Sequence, residues 1–396
     1  MTPLSHPAAS GAAHPRRHDL DWLRIIAFGL LIFYHVGMFF VPWDWHVKST
    51  RANDGPVYAM LLLNPWRLAL LFFISGVAIR YLSDKLGAGR FALDRTGRLL
   101  PVIVFGMLVV VMPQTWAQLR QAGVIEEGLL AFWPRYILGW EIGGIEVPTW
   151  NHLWYVVYLL VYCLILSPFV PLMRGLCDGY VSHMLQVLNR PVTGLLLLAL
   201  IPVLPFWAYR IFLEPHFPTT HNLVWDWANH AHRLTILLIG YAVAKNEVFW
   251  RAADRILVPA LICCALYAAA LWWGLGRPEA DWEGQAWLSW IFRLGRILYA
   301  WLAILALTGV ARRYLNGDGP VRRYLTEAIF PYYILHQTIT VLTGYWIAPM
   351  GLNVWVEFAV LAGVTTAGCV AGYEIVRRIP PLRPVMGLKW RSVPVR

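Results

Sequence analysis

Apolar runs of about 20 residues, separated by short polar segments, repeat along the chain. A helix needs about 20 mainly apolar residues to cross a bilayer, and lipid tolerates only a backbone that satisfies its own hydrogen bonds. The pattern therefore predicts an all-α, polytopic membrane protein with about ten transmembrane helices. The predicted spans lie near residues 22–42, 57–82, 99–118, 149–173, 191–212, 228–245, 256–276, 285–311, 325–348 and 354–376.

The polar ends of the chain predict two tails around one membrane domain. Residues 1–19 contain neither an apolar core nor a small-residue cleavage site of a secretory signal, and are predicted to be a disordered cytoplasmic tail. Residues 20–380 form the predicted transmembrane domain, and residues 381–396 a second cytoplasmic tail. The longest loop, 119–148, is predicted either to hold a short surface helix within residues 118–133 or to be a simple connection.

Composition and charge support a membrane location. Hydrophobic residues make up 59% of the chain and charged residues only 14%, with 22 tryptophans suited to membrane interfaces. Most of the 33 basic residues fall in segments on the same side as the N-terminus, which predicts that both termini are cytoplasmic. Because the net charge of +11 is spread over many short loops, the lipid bilayer is the expected partner and nucleic acid is not.

Arg24 and His35 lie eleven residues apart in the first span. That spacing is about three helical turns, or about 16 Å, so both side chains share one face. Ionisable groups within a span are costly and commonly functional, although a histidine satisfied by a neighbouring helix is the alternative. Asp44 follows the span closely enough to orient an imidazole. The predicted catalytic residues are therefore His35, Arg24 and Asp44.

Three further histidines are predicted at a similar depth in the outer half of the membrane. They are His46 after the first span, His152 at the start of the fourth and His336 in the ninth. Together they indicate a polar pocket that binds substrate, although each taken alone fits a structural role better than a catalytic one.

Arginines form two other candidate groups. Arg90, Arg95 and Arg98 lie at the inner end of the third span and suit phosphate binding, or are ordinary positive-inside charge. Arg67, Arg293 and Arg296 lie deeper, where an unpaired cation needs a partner or a water-filled cavity. Glu357 is the main acidic residue at that depth, so the predicted partner of the excess charge is a carboxylate on a substrate or acyl group. No metal-ligand spacing occurs, and no metal is predicted.

The chain resembles the acyltransferase 3 family of integral membrane O-acyltransferases over residues 18–390. The resemblance depends on R-x10-H (Arg24 and His35), on ISG followed by a basic loop and RTGR (Arg95 and Arg98), and on NHLWYVVYLL. Within the family it is most similar to the glucan biosynthesis protein C type, through WHVKS, PYYILHQTITVLTGYWIAP and YEIVRRIPPLRPVMGLK. That type succinylates periplasmic glucans in Gram-negative bacteria.

The resemblance implies an enzyme of the bacterial inner membrane without a permanently bound cofactor. Acyl-CoA, as succinyl-CoA or acetyl-CoA, would be the cytoplasmic co-substrate, and a periplasmic glycan hydroxyl the acceptor. His35 would act as general base, Arg24 would hold the donor, and Arg95 with Arg98 would bind its phosphates. The alternatives are an O-acetyltransferase of lipid-linked or surface polysaccharide, a glycan or metabolite exporter, and a non-catalytic member of a glycan-building complex. The oligomeric state stays open.

Overall fold

The computed structural model describes residues 17–277 and 285–390, which are almost entirely helical. The α-helices are α1 His18–Met38, α2 Val57–Lys85, α3 Ala88–Phe105, α4 Met112–Gln121, α5 Leu129–Leu138, α6 Trp154–Leu166, α7 Val170–Leu176, α8 Ser182–Met184, α9 Thr193–Leu200, α10 Leu204–Phe212, α11 Trp227–Val243, α12 Glu247–Leu275, α13 Ala286–Tyr314, α14 Pro320–Ile347, α15 Val354–Arg378 and α16 Leu382–Val385. Short π-helical and 3₁₀ segments join several of them, at Gly106–Val110, Asn151–Leu153, Ser167–Phe169, Cys177–Val181, Leu185–Asn189, Ile201–Val203 and Ala348–Met350. Strands β1 Glu141–Ile142 and β2 Ile145–Glu146 form one antiparallel hairpin.

Eight helical segments in the described ranges are long and apolar enough to cross a membrane. They are His18–Met38, Val57–Lys85, Ala88–Gln121, Asn151–Asn189, Thr193–Phe212, Glu247–Leu275, Trp287–Tyr314 and Val354–Arg378. This confirms a helical, multi-pass membrane protein. The predicted spans 228–245 and 325–348 coincide with α11 and α14, which are not among the eight. The first has only 17 residues, and polar side chains such as His336 and Gln337 interrupt the second.

Glycines bring α2 and α11 into backbone contact. A Cβ on Gly76 would overlap the carbonyl oxygen of Leu237, and a Cβ on Gly240 would overlap that of Phe73. Such close approach through small residues is a common way for helices to pack within membranes. The contact places the polar N-terminal part of α11 beside the first half of α2, where Arg67 lies.

The loop between α4 and α6 is a structured cap. Residues 118–133 do not form the one short helix predicted as the first alternative, because residues 122–128 are not helical and separate the end of α4 from the start of α5. Gly123 adopts a φ of +69°, which glycine tolerates and which ends α4. Helix α5 then docks on the π-helical segment, since Trp133 Nε1 donates to Leu108 O (2.8 Å) and Tyr136 Oη to Met107 O (3.0 Å).

The segment after α15 folds back against the bundle. Arg383 is buried, and its guanidinium donates to the carbonyl oxygens of Arg377 and Lys389, each at 2.8 Å. Gly387, with a φ of +77°, makes the turn that brings Lys389 next to this guanidinium. Residues 381–390 are therefore folded against the helix bundle. The predicted tail residues 1–16 and 391–396 lie outside the described ranges.

Candidate functional site

Two large cavities open in the part of the bundle that the structure describes. We name the first, of about 580 Å³, the Arg24 cavity; its charged lining residues are Arg24, Arg95, Arg98, Glu327, Arg383 and Lys389. We name the second, of about 480 Å³, the His35 cavity; its polar lining residues are Tyr34, His35, Asn64, Arg67, Arg210, Glu214, Thr219, His221, Asn229, His232, Arg233, Arg293 and Arg296.

The two cavities lie at different levels along α1. Arg24 and His35 belong to the same helix, and eleven residues correspond to about 16 Å along its axis. Helix α2 supplies Ser75 to the Arg24 cavity from its second half and Arg67 to the His35 cavity from its first half. Arg24 and His35 therefore line separate cavities.

The Arg24 cavity carries an excess of positive charge. Arg24 Nη2 donates to the carbonyl oxygen of Thr326 (3.0 Å), which holds its guanidinium at the cavity wall. Asp94 binds both Arg95 and Arg98, the latter at 3.1 Å. The predicted third member, Arg90, is exposed and is not a lining residue.

Two basic residues of this cavity come from the C-terminal segment and were not predicted. Arg383 and Lys389 face the same space, and the local carboxylate is Glu327, which lies 3.3 Å from the Arg383 guanidinium. A cleft with such a surplus of cations attracts an anionic ligand. The signal in the sequence was the basic run after α15, which was predicted to be a tail.

The His35 cavity contains all three deep arginines that the sequence predicts. Arg67 comes from α2, and Arg293 and Arg296 come from α13. Arg210 and Arg233 add two more guanidiniums, and the carboxylate recorded at this wall, Glu214, binds Arg210. The concentration of cations predicts an anionic group on whatever occupies this space.

Among these side chains, Arg67 is buried with donors that have no partner. It is 4% exposed, and its Nε and Nη1 have no hydrogen-bond partner. Its guanidinium carbon lies 3.5 Å from the centroid of the Tyr34 ring, whose hydroxyl accepts from Asn64 Nδ2 (2.9 Å). A buried cation with unused donors is costly unless a ligand completes it. Glu357, the main acidic candidate at this depth, instead accepts from Ser49 Oγ (2.6 Å).

Histidines from three elements meet beside the His35 cavity. His35 Nδ1 lies 2.7 Å from His336 Nε2, and His336 Nδ1 lies 2.6 Å from the carbonyl oxygen of Tyr333. The imidazole of His152 packs edge-on against His336 at 5.2 Å between centroids, with Nε2 3.0 Å from Ile334 O. His336 and His152 are buried behind His35, which lines the cavity itself.

His46 and Asp44 lie in the loop after α1, outside the lining of the cavity. His46 Nδ1 is 2.6 Å from Gln118 Oε1 and its Nε2 accepts from Gln337 Nε2 (2.9 Å). Burial lowers the pKa of this imidazole, although the bond to Gln118 opposes the shift. Asp44 is exposed, and the hydrogen bond recorded for His35 goes to His336 rather than to Asp44.

Aromatic side chains separate the two cavities. The ring of Phe28, which lines the Arg24 cavity, lies 5.0 Å from Tyr333 and 6.1 Å from Tyr155 between centroids. Tyr333 in turn lies 5.9 Å from His336. Phe28 and Tyr333 therefore link the lining of the Arg24 cavity to His336 through successive ring contacts.

The loop before α11 closes the far side of the His35 cavity around a buried carboxylate. Asp226 accepts hydrogen bonds from Tyr158 Oη (2.6 Å), Asn229 Nδ2 (2.7 Å) and the backbone N–H of Thr220 (3.0 Å). Burial raises the pKa of Asp226, but these donors outweigh it and hold the pKa below its usual range. Burial lowers the pKa of His221, which this loop presents to the cavity.

Several polar residues of this cavity were not among the predicted site residues. Asn229, His232 and Arg233 are close together on α11, where NHAHR opens an otherwise apolar helix. Polar side chains three and four residues apart share one helical face, which was the available signal. No group of three or more His, Cys, Asp or Glu side chains in residues 17–277 and 285–390 is arranged to hold a metal ion.

The fold and the two cavities define a helical, multi-pass membrane protein with two polar, cation-lined cavities. A family model described as an acyltransferase domain, Acyl_transf_3, matches residues 17–374. The chain therefore belongs to the acyltransferase 3 family, and it is an acyltransferase. No curated protein and no solved structure matches it.

Proposed function

We propose that the protein moves an acyl group from an acyl-CoA donor in the Arg24 cavity to a sugar hydroxyl in the His35 cavity. The observation that carries the proposal is the placement of two cation-lined chambers at the two ends of the Arg24–His35 interval on one helix. A donor with several phosphates and a long flexible arm fits such an arrangement, because its anionic end and its reactive end are far apart. Acyl-CoA would act as co-substrate, not as a resident cofactor.

In the Arg24 cavity, guanidiniums suit the phosphates of the donor. Arginine binds phosphate oxygens through two parallel N–H donors, which fixes orientation as well as supplying charge. Arg95, Arg98, Arg383 and Lys389 surround the space, and Arg24 lines it from α1. The thioester arm then points towards the aromatic layer at Phe28.

In the His35 cavity, the imidazole of His35 acts as general base. A ring nitrogen removes the proton of the acceptor hydroxyl while its oxygen attacks the thioester carbonyl carbon. The C–S bond breaks, the acyl group stays on the sugar oxygen, and the thiolate takes up a proton to leave as the free thiol. A positioned histidine contributes about 10²–10⁴-fold to such a step.

The acyl group that suits the cavity is one with a second carboxylate, such as succinyl. The unused donors of Arg67, with Arg293 and Arg296 in the same wall, provide sites for a negative charge. A periplasmic glucan is the proposed acceptor and the bacterial inner membrane the proposed location, in line with the subtype that the sequence resembles. Acetyl transfer to a surface polysaccharide is the second candidate, since the phosphates proposed to bind in the Arg24 cavity are common to every acyl-CoA.

The test is mass spectrometry of periplasmic glucans from cells that lack the chain and are complemented with wild type, His35→Ala or His183→Ala. His183 is exposed on α8 and serves as the matched control. We expect the mass of one or more succinyl groups with wild type and His183→Ala, and none with His35→Ala. Unmodified glucans in all strains would contradict the assigned acceptor, and a full signal with His35→Ala would contradict the assigned base.

A further inference from the structure

We propose that His336 is a positioning residue that fixes the tautomer of His35, so that Nε2 of His35 carries the lone pair that takes the proton. The inference rests on the proposed role of His35 as general base. It assigns a function to a buried side chain that touches neither cavity, and it follows from two hydrogen bonds at one imidazole.

The first step concerns the far side of His336. Its Nδ1 lies 2.6 Å from the backbone carbonyl oxygen of Tyr333, three residues earlier on α14. A carbonyl oxygen only accepts hydrogen bonds, so Nδ1 of His336 must carry the proton. In the neutral ring the lone pair then lies on Nε2, which makes this atom an acceptor.

The second step transfers this constraint to the catalytic ring. Nε2 of His336 lies 2.7 Å from Nδ1 of His35, so Nδ1 of His35 donates that hydrogen bond. A neutral imidazole has one protonated nitrogen, which leaves Nε2 of His35 without a proton. His35 lines the cavity, and Nε2 is therefore the nitrogen available to a bound hydroxyl.

The opposite assignment would leave the site without a base. If His336 were an imidazolium, it would donate at both nitrogens, and the lone pair of His35 would face His336 instead of the substrate. That charge would also lie in a region already occupied by the uncompensated guanidinium of Arg67. The neutral pair avoids a second buried cation next to the first.

The surroundings hold His336 in this orientation. Its side chain is fully buried, with Tyr333 at 5.9 Å and His152 at 5.2 Å between ring centroids. A ring flip would put carbon atoms in place of Nδ1 and Nε2 and would break both hydrogen bonds, so these bonds fix the orientation of the ring. In a serine hydrolase a buried carboxylate does this work for the catalytic histidine, and loss of the correct tautomer costs about 10⁴-fold in turnover.

The kinetic test compares His336→Leu with His336→Gln in purified protein, with succinyl-CoA as donor and a glucan oligosaccharide as acceptor. Leucine removes the acceptor for His35 Nδ1–H, whereas the amide oxygen of glutamine can replace it. We expect kcat to fall at least 10-fold with leucine at a nearly unchanged KM for the acceptor, and glutamine to restore most of the loss. Equal kcat values for leucine and wild type, or equal losses with leucine and glutamine, would overturn the inference.

A spectroscopic test does not depend on either variant folding. Selective ¹⁵N labelling of histidine in the wild-type protein distinguishes protonated from unprotonated ring nitrogens, and the spectrum of His35→Ala assigns the signals of His35 by difference. We expect Nδ1 of His35 to be protonated and Nε2 to be bare; the reverse pattern would overturn the inference. Undiminished transfer by His35→Ala would instead remove the proposed function, whichever tautomer the spectrum shows.

Discussion

Replacing Arg67 with methionine is expected to abolish the preference for an anionic acyl group without destabilising the fold. Methionine keeps the length of the side chain but removes its charge and donors. In the wild type, Nε and Nη1 have no protein partner, which fits a guanidinium that awaits a carboxylate. A hydrogen bond to a charged group contributes about 1.5–3 kcal/mol. Losing one such bond corresponds to about a 10- to 150-fold fall in kcat/KM.

The same substitution has a small expected effect on unfolding. Each buried donor without a partner costs about 1–3 kcal/mol, so methionine relieves a penalty of the ligand-free state. Against this stands the loss of the contact between the guanidinium and the Tyr34 ring at 3.5 Å, which contributes about 0.5–2 kcal/mol. The two effects oppose each other, and the free energy of unfolding should stay within about 1 kcal/mol of the wild type or rise.

The assay measures kcat/KM for succinyl-CoA and acetyl-CoA with one acceptor, together with thermal unfolding in the same detergent. Arg210→Met is the matched control for stability, because Arg210 already has a carboxylate partner in Glu214 and its loss leaves Glu214 with only the contact to His232 at 3.1 Å. We expect Arg67→Met to lose succinyl transfer selectively and to unfold near the wild-type temperature, and Arg210→Met to unfold earlier. An unchanged donor ratio in Arg67→Met, or a clear loss of its stability, would refute the reasoning.

Three other predictions address the Arg24 cavity, the loop before α11 and the contact between α2 and α11. Arg95→Gln should raise KM for acyl-CoA about 10-fold in steady-state kinetics, because it removes one charged contact in the Arg24 cavity. The control Arg190→Gln, at an exposed position, should leave this KM unchanged. Asp226→Ala should lower the free energy of unfolding by about 3 kcal/mol, measured by chemical denaturation, because it removes a buried acceptor of Tyr158. Since the folded-state pKa of Asp226 is depressed, its stabilisation is complete above the ordinary pKa and is lost as pH falls through the lowered value, so the alanine variant should lose less stability on acidification. Gly76→Ala should destabilise the protein by about 1–3 kcal/mol or more in thermal unfolding, since its Cβ would overlap a carbonyl of α11.

The parts of the site that the sequence predicted are those set by local spacing. Arg24 and His35 share α1, so their separation followed from helical geometry alone. Arg95 with Arg98, and Arg293 with Arg296, likewise lie three residues apart on single helices. Arg24 and His35 line different cavities, whereas the two residues of each arginine pair line the same cavity.

The contacts that complete the site depend on residues far apart in the chain. His35 meets His336 across 301 residues, and no periodicity in one helix specifies which neighbour it faces. Asp44 was predicted to orient His35 because it is close in sequence, yet the loop after α1 leaves it exposed. Arg383 was assigned to a tail because its segment is polar, although buried hydrogen bonds to carbonyl oxygens compensate that polarity.

The difference between local spacing and long-range packing also explains why two of the ten predicted spans are not among the eight. The eight segments are long and apolar enough on average to cross a membrane. Helix α14 carries His336 and Gln337 in its middle because its polar side chains pack against α1 and α4 instead of lipid. Mean hydropathy alone undervalues such a helix, since a polar face is inexpensive when other helices satisfy it.

The central claim is that one chain carries an acyl group between chambers at opposite levels of the bundle, with His35 at the receiving end. The most direct test places the protein in sealed vesicles with labelled acyl-CoA on one side and a glucan oligosaccharide on the other. The account predicts labelled glucan in the acceptor compartment for the wild type and none for His35→Ala. Transfer only when both substrates share a compartment, or equal transfer by His35→Ala, would contradict it.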